Sequence, residues 1–188
     1  MKNTAFKLLL ALLFISLAAC RNTPSATSGV AVESKWSSVR PTVVYVVRHA
    51  EKDTLDPANK DPDLTEQGMA RGEALKQFLA NEQVNGLFAT KYIRTQNTLK
   101  PLAEVHNLQV NQYKADNFNG LKEQVLQQFR GGTVVVAGHS NTLLPILEAF
   151  GVSRPIQKIS ETEYSYIFKL IVSPDNTAVV EVDYYGEK

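Results

Sequence analysis

The chain has 188 residues, a length that suits one domain and leaves little room for a second. With 44% hydrophobic and 21% charged residues it can fill a packed core and lacks the composition of a disordered chain. Lys and Arg total 20 against 19 Asp and Glu, and no basic tract stands out, which excludes a general affinity for nucleic acid.

The N-terminus reads as an address. Lys2 and Lys7 precede the apolar run Leu8–Leu17, and Leu17-Ala18-Ala19-Cys20 closes it. A basic start, a short apolar stretch and small residues before a cut predict a signal peptide over residues 1–20. The run is shorter than the ~20 apolar residues that a spanning helix needs. Cys20 is the one cysteine of the sequence, so no disulfide forms within the chain. Residues 21–41 are rich in Ser, Thr, Ala and Pro, show no helical or strand period, and are expected to form a flexible tether carrying Trp36.

Residues 42–188 alternate between strand and helix patterns and are expected to form one domain. Thr42–Arg48 is a β-branched run that suits a strand buried on both faces. A polar loop follows, and a helix is expected over Leu64–Ala80 with Thr65 as its N-cap. Gly86–Thr90 suits a short strand. A helix from about Tyr92 to Val105 carries Pro101, which is expected to kink or divide it. Gln109–Tyr113 suits a strand, Leu121–Phe129 a helix, Thr133–Ala137 a second fully apolar strand, and Asn141–Phe150 a helix with Pro145 in or beside its first turn. Tyr164–Val172 and Thr177–Tyr185 flank Ser173-Pro174-Asp175-Asn176, a turn between two strands. This alternation implies an α/β layer fold with a mostly parallel sheet and antiparallel C-terminal edge strands.

In open α/β sheets, ligands bind beyond the carboxyl ends of the strands. Three segments put polar groups there: Arg48-His49-Ala50-Glu51-Lys52, Thr90-Lys91-Tyr92-Ile93-Arg94-Thr95, and Gly138-His139-Ser140-Asn141-Thr142. Two histidines and two arginines then converge on one edge. Guanidinium forks match phosphoryl oxygens with paired, charge-assisted hydrogen bonds. An imidazole can attack phosphorus as a neutral nucleophile, and a second can donate to an equatorial oxygen. Ser140 does not complete a Gly-x-Ser-x-Gly elbow. His106 has no metal-type partner at short spacing, so neither a metal site nor a cofactor is expected. Lys52 and Lys91 read as surface charges, Asn141 as a helix cap, and Asp53, Asp56, Asp61 and Asp63 as solvated turn formers.

These segments carry a resemblance. Arg48-His49-Ala50 resembles the Arg-His-Gly motif of the histidine phosphatase superfamily (phosphoglycerate mutase-like, branch 1), with Ala for Gly. Leu64-Thr65-Glu66-Gln67-Gly68 resembles its Leu-Thr-x-x-Gly, and Arg94 with Thr98 its Ser-x-x-x-Arg-x-x-x-Thr segment, with Thr90 for Ser. Gly138-His139-Ser140 is similar to its second histidine motif. The four occur in family order across roughly Thr42 to Phe150. The resemblance implies a three-layer phosphoglycerate-mutase-like fold, His49 as nucleophile, and Arg48, Arg94 and His139 as the phosphate pocket. The general acid falls to Asp116 or Glu51, with Asp116 preferred. Leu-Ala-Ala-Cys in turn resembles the lipobox of bacterial lipoproteins. That implies a lipid on Cys20, and Arg21 after it favours the outer membrane, facing the periplasm.

The expected activity is metal-independent hydrolysis of a small phosphorylated substrate in the cell envelope, through a phosphohistidine on His49. A lipoprotein that binds a phosphorylated ligand without turnover, and a phosphatase of phosphohistidine on proteins, are the alternatives.

Overall fold

The computed structural model describes residues 40–187; the signal segment, Cys20 and the tether as far as residue 39 lie outside the described residues. Six strands and four helices follow in the order β1 (Thr42–Arg48), α1 (Glu66–Phe78), β2 (Val84–Ala89), α2 (Ile93–His106), β3 (Val110–Gln112), α3 (Phe118–Gln128), β4 (Thr133–Gly138), α4 (Leu143–Ala149), β5 (Tyr166–Val172) and β6 (Ala178–Tyr184). The strands form one sheet in the order β3-β2-β4-β1-β5-β6. β3, β2, β4 and β1 run parallel, while β5 pairs antiparallel with β1 and β6 antiparallel with β5. The expected mixed α/β sheet with antiparallel C-terminal strands is the one observed.

Strand geometry explains the layers. Successive side chains of β1 point to opposite faces of the sheet. Val44 and Val46 join α3 and α4 residues such as Leu121, Val125, Leu143 and Ile146 in one core. Tyr45 and Val47 join Leu75 and Leu79 near α1 and Leu99 and Leu102 of α2 in the other. Helices therefore cover both faces, and a central strand such as β1 must be apolar throughout.

Two local expectations need correction. Pro101 does not divide its helix, because α2 is continuous from Ile93 to His106. Leu99 and Leu102, either side of the proline, are fully buried, and their packing outweighs the roughly 3 kcal/mol that an interior proline costs. Helix α4 begins at Leu143 rather than Asn141. Thr142 stands at its N-cap, but its hydroxyl turns back to accept from His139 N–H at 2.8 Å. Thr65 caps α1 as expected, accepting from Gly68 N–H.

Candidate active site

The carboxyl ends of β1, β2 and β4 meet because these strands are neighbours in the sheet. Arg48 and His49 leave β1, Thr90 follows β2, and His139 follows β4. His49 N–H donates to the Gly138 carbonyl at 2.9 Å, so the β1–β4 ladder continues into the site itself. A cavity of about 1220 Å³ opens there, lined among others by Arg48, His49, Arg94, Asp116 and His139. Its volume is above the usual ~300–1,000 Å³ of small-molecule sites.

The motifs act by holding the chain around His49. Ala50 N–H donates to Thr98 Oγ1 at 2.8 Å, and that hydroxyl donates to the Arg94 carbonyl at 2.7 Å. Thr98 thus ties the residue after His49 to the residue that carries the second guanidinium. Thr65 N–H donates to the Glu51 carbonyl at 2.9 Å, docking the start of α1 on the same loop. A Cβ on Gly68 would collide with that carbonyl oxygen, which explains the glycine four residues after Leu64. Ala50 is fully buried and is not among the residues with positive φ, so its methyl is accommodated without strain.

His49 is 4% exposed, and its Nδ1 lies 2.8 Å from the Ala50 carbonyl. A carbonyl only accepts, so Nδ1 carries the proton and the Nε2 lone pair is left free. Burial pulls the His49 pKa down to about 3, and the charges of His139, Arg48 and Arg94 act in the same direction. The His139 ring lies 5.3 Å away, edge to face. Its Nε2 is 3.1 Å from Thr90 Oγ1, which in turn is 2.9 Å from Thr95 Oγ1. Burial first, then Arg94 and Arg48, lower the His139 pKa to about 4.

The two arginines are placed differently. Arg48 is 3% exposed; its Nη1 donates to the carbonyls of Ser160, Glu161 and Glu163, and its Nη2 to Glu161 Oε2 at 3.0 Å. Its guanidinium also stacks 4.0 Å over the Tyr164 ring. Arg94 lies 4.4 Å over Tyr92, and its Nη1 is 3.6 Å from Asp61 Oδ1, an ion pair without a hydrogen bond. Among the described residues, only four buried side-chain N or O atoms lack a hydrogen-bond partner. Three of them are Arg48 Nε, Arg94 Nε and Arg94 Nη1. Buried polar groups are almost always paired, so three unsatisfied guanidinium N–H groups beside one imidazole describe a binding site for a multi-oxygen anion.

A family model matches residues 44–115, the stretch that contains Arg48, His49, Thr65, Gly68, Arg94 and Thr98. That model describes the histidine phosphatase superfamily, branch 1. Solved structures with this fold include the protein histidine phosphatase SixA complexed with tungstate, at 14% identity and a TM-score of 0.61, covering 76% of this chain and 96% of that one. The putative phosphohistidine phosphatase SixA from Agrobacterium tumefaciens is 18% identical with a TM-score of 0.56, over 79% of this chain and 99% of that one. A mycobacterial glucosyl-3-phosphoglycerate phosphatase is 12% identical with a TM-score of 0.60, over 79% and 100%. Comparison with curated protein sequences found no significant match.

The two acid candidates separate in the structure. Asp116 lines the cavity, in the segment between β3 and α3. Glu51 does not; both of its oxygens face Arg71, at 2.9 and 3.0 Å from Nε, and Nη2 of Arg71 is 2.8 Å from Oε1. Arg71 also donates to the carbonyls of Tyr185 and Glu187. Through Arg71, Glu51 therefore joins the loop after β1 and α1 to residues 185–187, away from the cavity lining. Asn141 is also corrected: it lines the cavity instead of capping α4. Lys52 and Lys91 line it too. Of the four acids of the 53–63 loop, Asp53 and Asp56 form turns, while Asp61 accepts from Ile93 N–H at the start of α2 and Asp63 from Leu64 N–H and the Asn97 side chain.

Glu161 and its loop escaped the sequence reading. Glu161 Oε1 accepts from Ser140 Oγ at 2.6 Å while Oε2 holds Arg48, so the carboxylate bridges the ends of β1 and β4. The Ser140 hydroxyl above all, with Arg48, Lys52 and Lys158, keeps its carboxyl below the usual range against the opposing effect of burial. The one available signal was a pair of acids in Ser160-Glu161-Thr162-Glu163, and nothing local ties them to a residue 113 positions earlier.

Proposed function

We propose that the protein hydrolyses phosphate monoesters through a phosphohistidine on His49, with Asp116 as proton donor and acceptor, from a lipid anchor in the cell envelope. One observation carries the reading: a neutral imidazole with a free Nε2 sits beside three buried guanidinium N–H groups that have no acceptor.

The Nε2 lone pair forms the P–N bond as the P–O bond to the leaving group breaks, and the Asp116 carboxyl protonates the departing oxygen. Water then attacks phosphorus and passes a proton back to Asp116. The P–N bond breaks, inorganic phosphate leaves, and His49 returns neutral. Arg48, Arg94 and His139 stabilise the phosphoryl oxygens throughout, in the role that a divalent cation fills at other phosphoryl-transfer sites. No added metal is then required, and activity should persist in a chelator.

Phosphate release from an aryl phosphate tests the reading directly. Wild-type protein should turn over, and brief reaction should leave an acid-labile, base-stable label that is lost in His49→Ala. Label surviving that substitution would remove His49 from the mechanism. Binding without release would make the protein a receptor for phosphorylated ligands. The likeness to SixA favours phosphohistidine on a protein as a second substrate class, tested with a phosphorylated carrier domain in the same assay. For the anchor, full-length Cys20→Ser should incorporate no fatty acid and should leave the detergent fraction; continued membrane association in high salt would place the anchor elsewhere.

A further inference from the structure

Buried hydroxyls fix the protons around His139. Three short contacts run in line: His139 Nε2 to Thr90 Oγ1 at 3.1 Å, Thr90 Oγ1 to Thr95 Oγ1 at 2.9 Å, and Thr95 Oγ1 to the Tyr92 carbonyl at 2.7 Å. Thr95 Oγ1 also lies 3.1 Å from the Thr90 carbonyl. A carbonyl only accepts, so the Thr95 proton points at these carbonyls. Thr95 then has none left for Thr90, and Thr90 must donate to it. That uses the one proton of Thr90, so the remaining contact takes its proton from His139. The chain closes in this direction alone, since any other leaves two lone pairs facing each other in a buried contact. Both threonines are buried, so solvent does not reverse them.

Neutral His139 therefore carries its proton on Nε2, and its Nδ1 holds a lone pair. Nothing among the described residues binds that Nδ1, and it is not one of the buried atoms that lack a partner, so it opens into the cavity that His139 lines. His49 presents its own bare Nε2 to the same cavity. An oxyanion there meets two lone pairs and no imidazole N–H. We propose that Thr90, backed by Thr95, is a positioning residue that fixes the His139 tautomer, so that each oxyanion bound beside His49 brings in one proton, shared between its oxygen and His139 Nδ1. This step rests on the phosphatase reading above, and it makes the monoanion of a phosphate monoester the form that the site takes. The surroundings direct that proton. Arg48 and His49 face His139 from the end of β1, Arg94 from α2, Lys52 from the loop after β1 and Glu161 from the loop before β5, with the Tyr92 ring at right angles 5.4 Å away. The three cations keep the ring neutral in the empty site, and a bound anion offsets them. His139 is also less depressed than His49, about 4 against about 3, so the proton goes to His139 and leaves His49 Nε2 bare for attack.

Tungstate is a suitable probe, being a dianion with no proton of its own near neutral pH. Titration calorimetry in two buffers of different ionisation enthalpy counts the protons taken up as it binds. The wild-type protein should take up about one, and the tungstate Kd should rise about tenfold per pH unit above neutrality. Thr90→Val lets the ring carry its proton on Nδ1, so uptake should fall toward zero and the Kd should lose its pH dependence. Thr90→Ser should keep both. Thr95→Val should behave like Thr90→Val, because it frees the Thr90 proton to donate to Nε2. A threonine with a merely structural role would weaken binding and leave the proton count at one. Nitrogen NMR of the imidazoles reads the tautomer in the wild-type protein, without any variant, and should show His139 protonated on Nε2. No uptake in the wild type, an unchanged count in both valine variants, or a proton on Nδ1 of His139 in the empty site overturns the relay. Aryl phosphate hydrolysis run alongside separates the two failures. If it is present while tungstate binds without uptake or not at all, the relay alone is wrong; if it is absent, the phosphatase reading itself falls.

Discussion

Replacing Thr98 by Val would keep the shape of a fully buried side chain and delete one hydroxyl. That hydroxyl is the acceptor for Ala50 N–H, and Ala50 has no access to water that could substitute. Leaving a buried donor unpaired costs about 1–3 kcal/mol, so Thr98→Val should lose roughly 2 kcal/mol of stability. For a domain of this size that is a fall of roughly 4–8 °C in Tm. The kinetic effect should be larger than stability alone suggests. The Ala50 carbonyl holds Nδ1 of His49, so a peptide unit released at its N–H end lets the imidazole drift. Misplacement near an ångström costs on the order of 10² in rate, and kcat should drop about 10–100-fold with KM changed much less. Thr98→Ser is the control: it keeps Oγ1, loses a buried methyl worth about 1 kcal/mol, and should retain kcat. Denaturant melts and initial rates on an aryl phosphate give both quantities. If Thr98→Val kept kcat within twofold of wild type, or Thr98→Ser lost as much, the hydroxyl would not be what holds the His49 loop.

Arg94→Lys keeps the charge and removes the fork, so kcat should fall on the order of 10²–10³, about 3–4 kcal/mol of transition-state stabilisation; a near-normal rate would take Arg94 out of the pocket. Asp116→Asn should slow hydrolysis of alkyl phosphates by about 10²-fold or more and that of a good aryl leaving group far less, because only the former needs a proton on departure; equal losses on both would leave the acid unassigned. The two histidines should stay neutral in the folded chain well below their usual range, with His49 titrating near about 3 and His139 near about 4. The unfolded chain takes up these protons near pH 6.5, so stability is full above that value and falls as pH drops from about 6.5 toward 4. Imidazole resonances followed by NMR from pH 8 to 4 check the assignment, and a midpoint near 6.5 for either ring would contradict it.

The fold was largely legible because its elements announce themselves through different periods. β1 and β4 are rich in β-branched residues, as suits strands covered on both faces, and every expected strand and helix exists within a few residues of its expected bounds. The four motif segments also named the residues that meet at one edge, since parallel neighbours bring their carboxyl ends together. Ambiguity remained wherever the deciding contact is distant in sequence. Glu51 and Asp116 look alike as acids; the difference lies in Arg71, which reaches Glu51 from the buried face of α1. Glu161 became visible only with β5 paired to β1, which brings the loop 160–164 against Arg48. Pro101 is a breaker by its own chemistry and is overruled by the sheet beneath it.

The acceptors of Arg48 bear on when the molecule becomes competent. They lie 112–115 residues downstream of it, in the loop that leads into β5. The Arg71 clamp on the loop after β1 closes later still, on carbonyls 114 and 116 residues away. Contacts at such separation form late, since the chain between them must be ordered first. A growing or refolding chain can therefore build β1, α1, β2 and even β4, with both histidines in hand, and still have Arg48 unanchored. Catalytic competence should emerge as one of the last events in folding, after the bulk of the helical signal has returned.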